Sequence, residues 1–388
     1  MIKSGSSVCG RCLQECGPKS GKEIKGELCE RCKIVERHRD VVNKIGKQEN
    51  ILAERLRSVR GQHRYDCVAG LSGGKDSSYV IHRLKNHYAA NVLAVLAVTC
   101  DNGFLSDYAL ENIKTVVDDL GVDHVWIKLP DDLLRRLYRG SMLAEGWPCT
   151  ACFYLVEASV WKLAIEKNIP FIVHGRTPEQ IFRNLSEDLF TSPLSILQDN
   201  FAEYSPARVK EVALQNLERM SIVRRWLLGE PKPGDDTIQS LHLPGERGES
   251  RQSFPELLAF FLYEPHDEFK IMSYLERHSG WKPPQERARL SHADCLVHGA
   301  AGYLFNRTYK TSFLAMEVNA AIALGKMTRD EGADMLRRER AKLGVISRDS
   351  LSRLSEKTGM SIGFIRALPG YLNMKNSAYR LIRRLRGL

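Results

Sequence analysis

The sequence predicts a doubly wound α/β fold, in which a parallel sheet is covered by helices on both faces. Short apolar segments of strand length alternate with helical segments between residues 64 and 227. The strand segments are continuously apolar, which is typical of parallel strands buried on both faces. A cysteine-rich segment precedes this region, and a largely helical C-terminal region follows it from residue 254.

The order of elements supports this fold class. Four strands are predicted, at residues 66–71, 92–98, 124–129 and 169–174. Helices are predicted between them, at residues 77–86, 109–120 and 153–167. The expected domains are a metal-binding segment, a connecting helix, the α/β domain, a linker or loop rich in Pro, Gly and charge, and the helical C-terminal region; they cover residues 1–34, 35–63, 64–227, 228–253 and 254–388.

Composition limits the classes of function. The chain has 388 residues and a formal net charge of +10, and this length predicts roughly two to three domains. No apolar run reaches the ~18 residues of a membrane span, and the N-terminus lacks the apolar core of a signal peptide. We therefore expect a cytoplasmic protein with no membrane association, and a homodimer is one expected assembly.

The positive charge favours an anionic partner, such as ATP, tRNA or a nucleotide sugar. A basic surface that is simply solvated is the open alternative. The basic end at residues 380–386 is compatible with RNA binding, and equally with the last turns of an amphipathic helix.

Two Cys-x-x-Cys pairs near the N-terminus predict a metal site. The pairs are Cys9 with Cys12 and Cys29 with Cys32. Four thiolates at this spacing suit a structural zinc ion with tetrahedral geometry. Cys16 is a spare ligand. The segment is too poor in large apolar residues to bury a core, so we expect zinc to hold it together.

A glycine-rich loop follows the first predicted strand and opens a helix. Its glycines allow the backbone to approach phosphates, and the helix N-terminus attracts anions. A lysine adds positive charge, and hydroxyls donate hydrogen bonds to phosphate oxygens. The predicted phosphate-binding residues are Ser72, Gly73, Gly74, Lys75, Asp76, Ser77 and Ser78.

The loop lacks the Gly-x-x-x-x-Gly-Lys spacing of the mononucleotide P-loop. Its string Ser72-Gly-Gly-Lys-Asp-Ser77 resembles the PP-loop of the N-type ATP pyrophosphatases, whose sheet is adenine nucleotide alpha hydrolase-like. The resemblance implies cleavage of ATP between its α- and β-phosphates. The loop holds the departing pyrophosphate, and a substrate oxygen takes AMP. Lys75 then stabilises the pyrophosphate, and Asp76 acts through magnesium.

The resemblance extends to two further segments. Asp101, Asn102 and Gly103 follow the second strand and look like the family's adenine- and ribose-side segment, although Asp101 also suits a turn. Gly175 and Arg176 stand where the thiolation members carry Gly-His-Asn-x-Asp-Asp. The aspartates of that pattern are missing here, so we expect Arg176 to neutralise charge on the adenylate.

A second group of cysteines predicts sulfur chemistry. Cys149 and Cys152 open a helix at the carboxyl side of the sheet, and Cys295 lies far along the chain. This layout resembles the tRNA 2-thiolation enzymes of the PP-loop superfamily, which implies a 4Fe-4S cluster with one open iron that carries sulfur. The alternatives are a persulfide pair at Cys149 and Cys152, a second zinc site with His298, and a core thiol at Cys295.

The chain also resembles the N-acetyl sugar amidotransferases of the same superfamily. Shared features are the N-terminal Cys-x-x-Cys pairs, residues 65–68, 101–104 and 121–124, and residues 325–331. Those enzymes displace AMP with ammonia from a partner glutaminase. That branch keeps one cysteine where this chain has Cys149 and Cys152, which favours sulfur and a sulfur-donor partner. ATP-dependent adenylation followed by thiolation is therefore the expected reaction, with amidotransfer as the alternative.

The third hypothesis is a nucleic-acid-binding regulator that recognises DNA. Residues 351–367 have the rhythm of a helix-turn-helix, with Gly359 at the turn. A plain helical hairpin is the open alternative.

Overall fold

A five-stranded parallel sheet lies at the centre of the protein in this computed structural model, which describes residues 7–16, 27–98, 104–183, 206–229, 254–284, 294–342 and 347–385. The strands of the chain are β1 (Ser7–Val8), β2 (Glu15–Cys16), β3 (Cys67–Gly70), β4 (Val92–Val98), β5 (Asp123–Lys128), β6 (Phe171–His174) and β7 (Glu256–Ala259). The first two form an antiparallel hairpin, and the central sheet has the order β5-β4-β3-β6-β7.

Helices surround this sheet. They are α1 (Glu30–Arg37), α2 (Arg39–Val42), α3 (Glu49–Val59), α4 (Lys75–Asn86), α5 (Asp107–Leu120), α6 (Asp131–Glu145), α7 (Cys149–Glu166), α8 (Pro178–Phe182), α9 (Pro206–Leu228), α10 (Phe260–Tyr263), α11 (Glu268–His278), α12 (His298–Tyr309), α13 (Phe313–Ala323), α14 (Arg329–Lys342), α15 (Arg348–Thr358) and α16 (Ile362–Leu385).

Successive residues of β3 enter different apolar cores. Val68 belongs to one buried cluster, and Cys67 and Ala69 belong to another. Because neighbouring side chains on a strand point to opposite faces, both faces of the sheet are covered. This arrangement confirms the predicted doubly wound α/β class. Cys67 is a core thiol in this sheet.

The strand order reverses beside β3. From β3 the chain adds β4 and β5 on one side, and then places β6 and β7 on the other. Ligands of open α/β sheets bind beside such a reversal, at the carboxyl ends of the strands. The loop after β3 and the residues after β6 therefore share this edge.

Two elements differ from the prediction. The region from residue 254 begins with β7, which pairs with β6, so the sheet has a fifth strand. The apolar run continues directly into α10, and such a run cannot be assigned to strand or helix by periodicity. The predicted single connecting helix is instead three helices, because the chain breaks at His38 and turns at Gly46, where φ is 71°.

The remaining predicted segments are described only in part. Of the predicted linker, only Leu228 and Gly229 lie within the described residues. None of the helices that could be assessed is long and apolar enough to cross a membrane. The division into domains stays a prediction.

The predicted helix-turn-helix region forms two helices, α15 and α16, joined at Gly359 in a left-handed conformation with φ of 65°. The first of these helices packs on α6 and α12. A DNA-binding helix-turn-helix and a plain helical hairpin both have this geometry, so it does not distinguish between the two hypotheses.

Candidate active site

The predicted phosphate loop joins β3 to α4 and turns at Gly73. There φ is 76°, and a Cβ atom would lie 2.1 Å from the carbonyl oxygen of Ala109. Glycine is therefore required on both counts. Nε1 of Trp281 donates a 3.1 Å hydrogen bond to the Gly73 carbonyl, and Nδ2 of Asn112 donates a second one of 3.3 Å. The loop is thus braced by the first helix after β4 and by the C-terminal region.

The start of α4 is open to an anion. Gly74 is the N-cap, and no side chain caps the helix. The hydroxyls of Ser72 and Ser77 lie 3.1 Å apart on the loop. Uncapped amides at the N-terminus of a helix are a ready site for phosphate. The local geometry therefore suits the predicted pyrophosphate cradle.

Lys75 and Asp76 form a charged pair at this helix start. Nζ of Lys75 lies 2.8 Å from Oδ2 of Asp76 and 3.6 Å from Oε1 of Glu268. Nε2 of His266 donates a 3.0 Å hydrogen bond to Oδ1 of Asp76. Burial acts to raise the pKa of Asp76, but His266 and Lys75 together hold it below its ordinary value. Asp76 is therefore an anion, as a magnesium ligand must be.

Asp294 is a second carboxylate at the loop, and the sequence analysis gave it no role. Its Oδ2 lies 3.5 Å from the position that a Cβ on Gly74 would occupy, and it accepts a hydrogen bond from Ser72. Burial and the nearby charge of Asp76 raise the pKa of Asp294, against the bond from Ser72. Two carboxylates thus lie close together beside the phosphate loop.

The chain brings Asp294 to the loop through a short antiparallel contact. The backbone amide of Ser106 donates a 2.9 Å hydrogen bond to the carbonyl of Asp294, and Leu105 forms an isolated β-bridge with Cys295. The same two-residue step therefore places a carboxylate at the phosphate loop and a thiol beside it.

The residues after β6 form another wall. A Cβ on Gly175 would lie 3.1 Å from Cγ2 of Val80, so this glycine allows close packing against α4. Nη2 of Arg176 donates a 2.7 Å hydrogen bond to Oε1 of Glu157. Burial lowers the pKa of His174 to about 3, aided by the charge of Arg176. A neutral imidazole and a paired guanidinium therefore follow β6 in this wall.

Gln180 has a local role in this wall. Its Oε1 accepts a hydrogen bond from the amide of Thr177, while the Thr177 hydroxyl accepts one from the amide of Gln180. This reciprocal pair is a capping box at the start of α8.

The structure brings Cys149, Cys152 and Cys295 together. Burial raises the pKa of Cys149, and the neighbouring Cys152 and Cys295 raise it further. Burial, followed by the proximity of Cys152, raises the pKa of Cys295 to about 12. The Tyr138 hydroxyl lies 3.1 Å from Sγ of Cys152. Two thiols from α7 and one from a distant segment therefore form one group.

One cavity of about 450 Å³ contains both groups. It is lined by the phosphate-loop residues and their neighbour, Ser72, Gly74, Lys75, Asp76, Ser77 and Asp294, and by the thiols of Cys149, Cys152 and Cys295. Gly175, Arg176 and His298 also line it. The cavity lies at the carboxyl ends of β3 and β6, at the reversal of strand order. The candidate nucleotide-binding residues and the three candidate cysteines thus line the same cavity.

Some predicted residues have no contact with the cavity or lie outside the described residues. Ser78 is fully buried and does not line the cavity, so its predicted phosphate contact is not supported by its placement. Asp101, Asn102 and Gly103 lie outside the described residues, and their nucleotide contacts stay predictions.

The N-terminal cysteines form a separate centre. Sγ atoms of Cys9, Cys12, Cys29 and Cys32 all lie within 4.8 Å of one another, and all four residues are buried. In contrast, no three members of the set Cys149, Cys152, Cys295 and His298 meet this condition among the described residues. The placement of those four residues therefore does not support the alternative of a second zinc site.

The N-terminal centre also supports the cavity wall. Nε and Nη2 of Arg31, in α1, donate hydrogen bonds of 3.0 and 2.6 Å to the carbonyls of Phe182 and Arg183. Arg183 lines the cavity and lies close enough to lower the pKa of Cys149, although burial dominates that thiol. The N-terminal segment is therefore joined by a hydrogen bond to a residue that lines the cavity.

Comparisons with known proteins show distant similarities. No model of a protein family matches this chain. An uncharacterized protein of Methanocaldococcus jannaschii is 24% identical over 168 residues, which are 43% of this chain and 58% of that protein. The chain thus matches less than two thirds of that relative's length.

Two solved structures are similar at low identity. The U34-tRNA thiolase NcsA from Methanococcus maripaludis, with its 4Fe-4S cluster, gives a TM-score of 0.36 at 16% identity over 87% of this chain and 89% of its own. The NH3-dependent NAD synthetase from Campylobacter jejuni, in complex with nitrate, gives a TM-score of 0.28 at 15% identity. This match covers 55% of this chain and 97% of the synthetase chain. These scores carry no conclusion about the activity of this chain. The chain resembles the PP-loop ATP pyrophosphatases in its parallel sheet and in the loop after β3.

Proposed function

We propose that this chain uses ATP to adenylate an oxygen of its substrate and then replaces that oxygen with sulfur. The observation that carries the proposal is the single cavity that holds both the phosphate loop and three cysteines. A nucleotide bound at the loop would share the cavity with the thiols, so adenylation and sulfur transfer could both occur in this cavity. The central strand and α4 hold the loop rigidly for the first of them.

The first half-reaction forms the adenylate. The substrate oxygen attacks the α-phosphorus, and the bond from that phosphorus to the bridging oxygen of pyrophosphate breaks. The amides at the start of α4 and the ammonium of Lys75 would hold the departing pyrophosphate, whose charge grows in the transition state. Asp76 and Asp294 fit a magnesium ion, because both are partly buried carboxylates beside the loop.

The second half-reaction replaces oxygen with sulfur. Sulfide attacks the activated carbon, and AMP departs with the oxygen, so a carbonyl, ATP and sulfide give a thiocarbonyl, AMP and pyrophosphate. No change of oxidation state is needed. The walls formed by Phe153 and Trp147 are apolar and would limit the access of water to the activated carbon.

The set of three cysteines in the cavity is compatible with a resident 4Fe-4S cluster. Three cysteines line the cavity, without the close mutual spacing that zinc requires. Cys149, Cys152 and Cys295 would hold such a cluster, and its iron would supply a binding site for sulfide. The persulfide pair stays open, because Cys149 and Cys152 neighbour each other in either case.

Product analysis tests the proposal. Protein purified without air should be incubated with magnesium, ATP, sulfide and an acceptor pool of tRNA or nucleotide sugars. We expect AMP and pyrophosphate in equal amounts, and an acceptor in which mass spectrometry finds one oxygen replaced by sulfur. ADP and phosphate as the products would contradict adenylation. An aminated acceptor formed with ammonia would instead support amidotransfer and overturn the sulfur step.

We also propose that Cys9, Cys12, Cys29 and Cys32 bind a structural zinc ion. The sulfurs of Cys12 and Cys29 are 3.6 Å apart, close to the spacing across a tetrahedral zinc–thiolate site. Arg329 donates hydrogen bonds of 2.8 and 2.6 Å to the carbonyls of Cys9 and Cys12, which ties the segment to α14. A closed site of this kind stabilises a fold and leaves catalysis to other residues.

Removal of a zinc ligand should lower the thermal stability of the protein without removing any catalytic residue. Cys9→Ser is expected to release zinc and to lower the melting temperature, because folding of a small metal-bound segment depends on its metal. Elemental analysis and thermal melts measure both effects. Lys33→Ser is the matched control, since Lys33 lies in the same segment, is exposed and offers no thiolate to a metal. Zinc retained by Cys9→Ser with an unchanged melt would contradict the assignment.

A further inference from the structure

We propose that the outer face of α16 is a docking surface for RNA, an inference that rests on the proposed function because it names the class of its acceptor. The helix carries an exposed stripe of large apolar side chains. Phe364, Tyr371 and Met374 are 46%, 53% and 68% exposed. Together with Ala367 they follow a spacing of three, four and three residues, which places them on one helical face.

The opposite face of α16 is already occupied. Ile365, Leu368 and Leu372 are buried in the larger apolar core. The exposed stripe is therefore not needed to hold the helix in place. Isolated exposed apolar residues are ordinary on proteins, but a row of three on one helical face indicates an interaction site.

The charged residues of α16 are all basic. Residues 362–385 contain no Asp or Glu and carry five basic residues, Arg366, Lys375, Arg380, Arg383 and Arg384. Arg366 and Lys375 are exposed beside the stripe. Arg135 of α6 lies at the start of the helix, where its Cδ would be 3.5 Å from a Cβ on Gly359. Positive charge interleaved with aromatic rings suits phosphates and unstacked bases.

The position of α16 connects this surface to the candidate active site. Cδ1 of Leu372 would lie 2.9 Å from a Cβ on Gly146, three residues before Cys149. Nδ2 of Asn373 donates a 3.3 Å hydrogen bond to the carbonyl of Arg307 in α12, the helix that follows Cys295. An RNA strand on the outer face would thus lie about one helix diameter, ~10 Å, from the segment that carries a cavity thiol.

The charge favours RNA over a second copy of this chain. Two α16 helices packed together would oppose basic residues without any carboxylate on either helix, and such pairs repel. Single-stranded regions of RNA offer the complement, since phosphates pair with Arg and Lys while exposed bases stack on Phe and Tyr.

Binding of labelled bulk tRNA to the full chain, measured by fluorescence anisotropy without ATP, tests the inference. We expect Tyr371→Ala to weaken binding about tenfold, in line with the loss of one stacked base. Lys375→Gln should reduce the salt dependence by about one unit of the log–log slope. Trp126→Ala is the matched control, because Trp126 is an exposed aromatic residue (40%) on strand β5, outside α16, and this variant should bind as the unmodified chain does.

Several outcomes would overturn the inference. These are absence of tRNA binding by the unmodified chain, equal binding by Tyr371→Ala, or equally tight binding of duplex DNA. A dimer in sedimentation that Tyr371→Ala dissociates, without change in tRNA affinity, would assign the stripe to a second copy. Binding to anionic vesicles in place of tRNA would assign it to a lipid surface. Circular dichroism checks that each variant is folded.

The inference and the proposed function fail separately. AMP formation with a nucleotide sugar and no affinity for tRNA would leave the adenylation standing and remove the RNA surface. Binding of tRNA through α16 with no AMP from any acceptor would do the reverse.

Discussion

Lys75→Ala is expected to lower the rate of AMP formation by about a hundredfold to a thousandfold, the usual cost of removing one preorganised charge donor from a transition state. Lys75 stands at the first position of α4, where the amides of the uncapped helix also face the leaving pyrophosphate. Its side chain is 14% exposed and its ammonium lies within reach of Asp76 and Glu268, so a solvent ion does not readily replace it. The rate is measured as pyrophosphate release under saturating ATP.

The control for this variant is another lysine of the same region. Lys270 lies in α11, is 86% exposed, and pairs only weakly with Asp267 at 3.7 Å. Lys270→Ala should leave the rate unchanged. Asp76 keeps its hydrogen bond from His266 in the Lys75 variant, which favours a retained fold. Full activity of a folded Lys75→Ala protein would contradict the assignment of the loop.

Cys149→Ala is expected to abolish formation of the sulfur-containing product while leaving the adenylation half-reaction largely intact. The thiol lines the cavity beside Cys152 and Cys295 and is not part of the phosphate loop. Its removal takes away a ligand for sulfur without touching Lys75 or Asp76. Isotope exchange between pyrophosphate and ATP, in the presence of acceptor, measures the first half-reaction, and mass spectrometry measures the second.

The matched control removes a thiol elsewhere. Cys67 is fully buried in β3 and does not line the cavity. Cys67→Ala should therefore retain sulfur transfer in whatever fraction of the protein stays folded. Unimpaired product formation by Cys149→Ala would exclude this cysteine group from the chemistry and would return amidotransfer as the leading alternative.

The local parts of the site could be predicted from the sequence because their residues are adjacent along the chain. The phosphate loop is one continuous string between a strand and a helix, and Cys149 and Cys152 are one helical turn apart at the start of α7. In each case the residue types fix the local geometry. Gly73 illustrates this, since its positive φ and its contact with Ala109 both demand glycine.

The long-range parts could not be predicted in the same way. Asp294 and Glu268 reach the loop from about two hundred residues away, and no spacing rule connects them to Lys75. Asp294 carried one signal, its position next to a cysteine already singled out. The role of β7 was missed because its apolar run merges with α10. Tertiary pairing decides such segments, and a single sequence does not record it.

The central claim is that ATP binds in one cavity, with its terminal phosphates at the phosphate loop and its α-phosphate directed towards the cysteines. A crystal structure with magnesium and a non-hydrolysable ATP analogue tests it most directly. We expect the β- and γ-phosphates on the amides at the start of α4 with Lys75, magnesium near Asp76 and Asp294, and the α-phosphate towards Cys149. A nucleotide bound elsewhere, or bound with its base at the loop and its phosphates in solvent, would contradict the account.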